Sequence, residues 1–210
     1  MVFDFKKVEK AYYQTKQQPT IVTIPKMQYL AVRGSGNPND PEGEYPKAIE
    51  QLYGIAYTIK MSKKGSVDLP NYEDFVVPPL EGFWWQTDIK GYDATKKELF
   101  EWYALIRMPD FVTEEIVNWA KTEATSKKQK DYSKVELLTY EEGVCVQAVH
   151  IGPYDTEPET AEKMHQYAEA EGYVLDLSEQ RHHHEIYYSD PRRTAPEKLK
   201  TLVRHPIRKV

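Results

Sequence analysis

Cysteine is almost missing from this 210-residue chain: Cys145 stands alone, which excludes an internal disulfide and any multi-cysteine metal site. Its place in the apolar run Gly143-Val144-Cys145-Val146 reads as a buried core thiol. No apolar run approaches the ~20 residues that a membrane span requires. The N-terminal stretch MVFDFKKVEKAYY has neither the apolar segment nor the small-residue cleavage site of a signal peptide. No membrane partner is therefore expected, and the expected location is the cytoplasm. An excess of positive charge is also missing. With 28 Lys and Arg against 33 Asp and Glu, the net charge is −5. Direct nucleic-acid binding is not expected, because neutralising phosphates needs a basic face. The basic groups at 126–130 and 192–209 are mixed with acids or flank loops, as on a solvated face. There is no Ser-His-Asp order, glycine-rich phosphate loop or paired-cysteine motif, so no cofactor is implied.

Aromatic residues are abundant, with 16 Tyr and 4 Trp. Each offers flat apolar area with a polar tip. Part of the excess belongs to the core, and part can line a pocket for a flat hydrophobic or cationic small molecule.

The order of elements repeats. Residues 27–36 alternate like a strand and end in a Gly-rich turn, and Tyr45 to Met61 reads as a helix with Ile49, Leu52, Ala56 and Ile59 at helical spacing. Strands follow at 81–87 and 97–108. The second half gives a strand at 143–150, a helix at 157–171, a short strand at 173–177 and a strand at 182–189. Val112 to Lys128 is a connecting helix with Thr113 as N-cap, and Thr194 reads as the N-cap of a short helix through Leu199 and Val203. The expectation is one α+β domain over residues 1–210. It consists of two strand-helix-strand-strand units, 21–110 and 135–210, joined by a connector at 111–134. A pseudo-twofold would join their antiparallel sheets around a central cleft, where ligand sites are favoured.

Glu185 and Tyr187 lie two apart on a strand and so share a face, as do Glu101 and Tyr103. If the units face each other, both pairs point to one cleft. There a carboxylate can neutralise a ligand cation or serve as a general acid or base with a raised pKa. Adjacent Trp84 and Trp85 must point to opposite faces, and Trp85 is the one favoured for the cleft. Tyr53 and Tyr57, one helical turn apart, suit core packing and ligand contact equally. In His182-His183-His184, alternation puts His183 with Glu185 and the other two opposite. Two ligands are too few for a confident zinc site, so a solvated or hydrogen-bonded histidine cluster is expected and no metal.

An ordered set of residues carries a family resemblance. It runs through Lys6-Lys7, Pro19, Val22, Pro25, Tyr29-Leu30 and Gly34-Ser35-Gly36-Asn37-Pro38 to Tyr45, Ala48-Ile49 and Leu52-Tyr53. It continues with Pro79-Leu80-Glu81-Gly82-Phe83-Trp84-Trp85, His150-Ile151-Gly152-Pro153-Tyr154 and the run from Glu185 to Thr194. This set resembles the free-standing GyrI-like small-molecule-binding proteins over nearly the whole chain. The resemblance implies duplicated strand-helix-strand-strand (SHS2-like) units and a hydrophobic pocket in which a glutamate and aromatics bind flat, often cationic compounds. It also resembles the cyclopropanoid cyclopropyl hydrolase subfamily, which opens the strained cyclopropane of DNA-alkylating cyclopropapyrroloindole antibiotics within an aromatic cage. On that reading the enzyme is a cofactor-free hydrolase with Glu185, Tyr103 and Tyr187 as catalytic groups. Trp84, Trp85, Trp102, Glu101, Tyr53 and Tyr57 are then the ligand contacts. The other reading is a non-catalytic drug-binding or effector module, or one acting through a protein partner like gyrase-inhibitory relatives. With no helix-turn-helix preceding the domain, direct gene regulation is not expected.

Overall fold

The computed structural model describes every residue except Met1, Ser66, Asp88, Lys90, Gly91, Tyr92 and Ala94. After a one-turn helix α1 (Phe5–Val8), the elements are β1 (Thr20–Ser35), α2 (Glu44–Met61), β2 (Leu80–Trp85), β3 (Glu101–Arg107) and α3 (Glu114–Lys128). They continue with β4 (Glu136–Ile151), α4 (Glu157–Ala170), β5 (Tyr173–Leu175), β6 (His183–Tyr187) and β7 (Lys200–Lys209).

The helices form where the sequence gives them an apolar stripe and end signals. In α2 the buried residues Ala48, Leu52, Ile55, Ala56 and Ile59 recur at helical spacing. In α3 the Thr113 hydroxyl caps the first turn, accepting from the Ile116 amide at 3.4 Å, while Glu114 and Glu115 open the helix and Lys127 and Lys128 close it. No helix among the described residues is long and apolar enough to cross a membrane.

The strands lie in the order β4-β1-β3-β2-β6-β7-β5, all pairings antiparallel, and β4 also pairs with β7. Six strands therefore close on themselves like a barrel, which removes the exposed edges an open sheet would leave. This differs from the expectation of two joined sheets flanking a cleft. The barrel wall separates two environments instead. The expected helix after Thr194 is also replaced. Pro196–Lys198 make a single 3-10 turn and residues 200–209 are strand β7. Leu199, Leu202, Val203 and Ile207 are all buried, so their apparent helical spacing arises in a strand covered on both faces, where alternation disappears.

Outside the barrel, α2 and α3 cover Leu30, Val32, Trp84, Trp102, Ala104 and Ile106, while α4 covers Val146, Ala148 and Val203 with Met164 and Ala168. Gly34 is required here. A Cβ on it would lie 2.2 Å from the Trp102 indole, so only glycine lets that ring lie flat on β1. Inside, Tyr29, Ala31, Phe83, Leu105 and Cys145 form an apolar layer, and the cysteine is buried as expected. One end of the barrel is covered by the N-terminal segment, where Phe5 and Tyr13 pack on Val149, Ile186 and Leu202.

The barrel interior also carries charge. His184 is fully buried between Glu142 (3.0 Å) and Glu81 (2.9 Å). Arg204 donates to Glu142 (2.7 Å), Gln147 (3.1 Å) and the Tyr12 carbonyl (2.6 Å). Tyr13 donates to Glu81 at 3.2 Å, and Arg107 pairs with Glu9. Burial alone would depress the His184 pKa, but the facing carboxylates outweigh it and raise it. Burial opposes ionisation of Glu142, yet His184 and Arg204 hold its pKa down at about 2.

Candidate functional site

Strand β6 aims successive side chains at opposite sides of the barrel wall. The register pairs Gly82 with Glu185 and Ala104, and Trp84 with His183 and Trp102. His183, Glu185, Tyr187, Trp84 and Trp102 therefore share the outer face, between α2 and the start of α4.

Glu185 is buried with 7% of its surface exposed, and its Oε1 accepts from His183 Nε2 at 2.8 Å. Glu157, in the first turn of α4, approaches the same His183 nitrogen at 3.5 Å and hydrogen-bonds to Glu185. Two carboxyls this close in a dry site cannot both ionise easily. Burial pushes Glu157 up, the His183 charge opposes this and the Glu185 charge reinforces it, giving a pKa of about 8. This occurs although the start of a helix ordinarily favours a charged carboxylate. Burial also pushes Glu185 up, but His183, Tyr187 and Glu157 together carry it below its ordinary value. That corrects the expectation that desolvation raises Glu185: it is the ionised member, and Glu157, which the sequence marked only as a helix start, is the protonated one.

Aromatic side chains surround the pair. Trp84 Nε1 donates to the Tyr187 hydroxyl at 3.1 Å, and Tyr45 from α2 packs on Trp84 (5.1 Å between rings) and edge-on to Trp102 (5.0 Å). Tyr154 meets Tyr187 edge-on at 6.0 Å and is partly exposed, leading from the pair to solvent. Gly82 makes this packing possible, because a Cβ there would lie 2.5 Å from Trp84 Nε1 and 3.2 Å from the Tyr187 hydroxyl. The Tyr45 hydroxyl, buried in this layer, has the Tyr187 hydroxyl as its one neighbouring partner, and Trp102 Nε1 has no hydrogen-bond partner among the described residues. Buried polar groups are nearly always satisfied, so the Trp102 N–H is a donor this aromatic layer leaves free.

The other site residues expected from sequence do not converge here. Phe83 pairs with both Tyr103 and His184, which puts Glu101, Tyr103 and Trp85 on the opposite side of the wall. The two Glu-x-Tyr pairs thus face different environments. The strands meet antiparallel in a closed barrel, and Tyr103 falls in register with the inward-facing residues. Glu101, Trp85 and Tyr103 instead line a cavity of about 430 Å³ at the uncovered barrel end, with Arg33, Phe83, Tyr140 and His182. His182 stacks on Trp85 at 4.5 Å, and burial together with the nearby His184 charge drops its pKa to about 4. Arg33 pairs with Glu101 at 2.9 Å, and Thr87 also bonds that carboxylate. Glu185 is not in the wall of this cavity. Tyr53 and Tyr57 stack on each other on α2 (6.2 Å), Tyr53 half-buried and Tyr57 exposed.

Glu157, His183 and His205 offer donor atoms within 4.8 Å of one another, the spacing of a three-ligand metal site. However, His183 Nδ1 and His205 Nε2 are 2.6 Å apart. That separation is a hydrogen bond between the two rings. Of the residues gathered around His183 and Glu185, Tyr45 and Tyr154 belong to the set that carries the family resemblance; Glu157 was marked only as a helix start, and His205 carried no signal, because each comes from a distant element.

The GyrI-like small molecule binding domain matches residues 17–208. A crystal structure of a hydrolase from Listeria innocua is 47% identical, with a TM-score of 0.90, covering 98% of this chain and all of that one. An uncharacterized conserved protein from Listeria innocua is 49% identical, with a TM-score of 0.92 and the same coverage. The C-terminal domain of EcmrR, 14% identical over 92% of this chain and 98% of that one with a TM-score of 0.55, shares the fold alone. No curated protein matches.

Proposed function

The chain belongs to the GyrI-like small-molecule-binding family, and from that premise we propose that the outer-face site adds water to a strained electrophile, such as the activated cyclopropane of a flat DNA-alkylating drug. The observation that carries this reading is the Glu157–Glu185 pair, one carboxyl protonated and one ionised, enclosed by aromatics beside the unpartnered Trp102 N–H. The 47% identical hydrolase supports hydrolysis as the reaction type.

In this mechanism the flat ligand stacks among Tyr45, Trp84 and Tyr154, each aromatic pair being worth ~0.5–1.5 kcal/mol beyond its buried area. Ionised Glu185 accepts a proton from the attacking water as the new C–O bond forms and the strained C–C bond breaks. The released electron pair moves onto the conjugated carbonyl oxygen, which takes up a proton. The free Trp102 N–H and the Tyr45 hydroxyl, which neighbours Tyr187, are the donors for that developing charge, and positioned donors are often the largest catalytic term. Tyr187, already engaged by Trp84 and Glu185, orients the base. Tyr103, Trp85 and Glu101, on the far side of the wall, take no part.

The same reading treats 21–110 and 135–210 as duplicated strand-helix-strand-strand units. The matching neighbour orders β1-β3-β2 and β4-β7-β6 support this. A binding module is the second reading, favoured by one observation: an ionised glutamate among aromatics is also what a flat cation would seek. Incubating the purified protein with excess cyclopropapyrroloindole and following product by mass spectrometry separates the two. Many product molecules per protein support hydrolysis, and one bound, unchanged ligand per protein refutes it.

A further inference from the structure

Beyond the carboxyl pair, hydrogen-bonded imidazoles continue without a break. Glu185 Oε1 meets His183 Nε2 at 2.8 Å, His183 Nδ1 meets His205 Nε2 at 2.6 Å, and His205 Nδ1 meets His165 Nε2 at 2.8 Å. Each of the two inner rings uses both nitrogens in the chain, one toward the carboxylate and one away from it. His183 and His205 are buried, while His165, on α4, is half-exposed. The three histidines come from β6, β7 and α4, so the barrel wall and its covering helix must be assembled for the row to exist.

We propose that His183, His205 and His165 are a proton conduit joining the Glu157–Glu185 pair to solvent on the outer surface of α4. The proposal rests on the outer-face site being the working site. Each water addition leaves a proton on Glu185, whose side chain is buried. His183, held as an imidazolium against the ionised carboxylate, releases its Nδ1 proton to His205, and a turn of its ring then presents the bared nitrogen to Glu185, which hands over the water's proton and is ionised again. His205 in turn releases one to His165, which releases one to solvent. One proton enters the row and one leaves it, so charge is conserved, and the product oxygen takes up one proton for each lost by the water. The rings return to their starting tautomers before the next cycle. Burial, followed by the neighbouring His183, holds His205 well below the ordinary histidine range, so its ring passes a proton on and does not retain one. Burial holds His165 below the ordinary histidine range, with Glu162 and Glu169 opposing it, so a proton arriving there is released to solvent.

The test compares the full chain with its His165→Phe and His165→Gln variants, neither of which touches the carboxyl pair. Two readouts are needed. With a cyclopropapyrroloindole as substrate in weak buffer, kcat should fall roughly tenfold or more, less than the ~10²–10⁴ expected for the base itself. KM should be unchanged, the solvent deuterium isotope effect on kcat should be larger, and added imidazole should restore the rate. Without any substrate, nitrogen-15 NMR should find the ring N–H protons of His183 and His205 exchanging with water about tenfold more slowly in both variants. If the wild type turns over no cyclopropapyrroloindole, the hydrolase reading fails and the conduit is judged on exchange alone. Unchanged exchange in both variants, or a kcat loss that imidazole does not rescue, overturns the conduit.

Discussion

Two histidines that are neighbours in the chain serve two different regions. His184 points into the barrel, where Glu81, Glu142, Arg204, Gln147 and Tyr13 form a network with its charges paired. His183 points outward to Glu185, Glu157 and His205, where two carboxyls share one site and the adjoining Trp102 N–H is unsatisfied. The residue types are the same, and burial is nearly complete in both. The difference is closure. The inner network balances its charges and leads nowhere. The outer cluster holds one protonated and one ionised carboxyl, lies beside the unpartnered Trp102 N–H, and borders the exposed Tyr154 on one side and the half-exposed His165 on the other. A histidine–carboxylate cluster therefore marks a candidate site by its unmet valences, not by its composition.

The contrast can be broken most forcefully from the inside. Arg204→Met keeps the side-chain length but leaves Glu142 without its guanidinium. Breaking a buried pair in this way costs about 3–5 kcal/mol, equivalent to a Tm drop of ~6–20 °C for a chain of this size. Calorimetry checks it, and a drop below ~1 kcal/mol would mean that the inner network is not structural. Outside, Glu185→Gln keeps the shape and removes the base, so turnover should fall ~10²–10⁴-fold. Its Tm should move far less than that of Arg204→Met. An equal loss of stability in the two variants would erase the distinction between the regions.

The third prediction sharpens the comparison through pH. Glu157 is raised to about 8, so between its unfolded pKa of ~4.3 and that value the folded state holds a proton the unfolded chain has lost. Stability must then fall as pH rises across this window. Glu157→Gln mimics the protonated carboxyl and removes the dependence. Its Tm advantage over the wild type should grow by ~2–4 °C or more between pH 5 and pH 8. Parallel Tm curves for the two proteins across that range would mean that Glu157 is ionised throughout.

Much of the fold was legible because it rests on local signals. The Thr113 cap, the α2 stripe and the alternation of residues 143–150 each identify an element. Strand β7 was not legible, because burial on both faces hides the period of two. Alternation in the histidine run put His183 with Glu185, and the structure keeps that pairing. It could not say that Glu101 and Tyr103 fall on the other side of the wall, because that depends on the β2–β3 and β2–β6 registers. Trp85, favoured over Trp84 for the cleft, lines the 430 Å³ cavity, while Trp84 lies on the Glu185 face. Glu157 and His205 become partners of His183 only when α4 and β7 are folded against β6, a relation between distant residues that carries no local mark.

The central claim is that ligand enters the outer cluster and not the barrel mouth. A crystal of the Glu185→Gln variant soaked with a cyclopropapyrroloindole tests it most directly. The expected result is density for the alkylating unit between α2 and the start of α4, with its carbonyl oxygen within ~3 Å of the Tyr45 hydroxyl or Trp102 Nε1. Density stacked instead on Trp85 and His182 in the 430 Å³ cavity, with the outer cluster unchanged, would contradict the account.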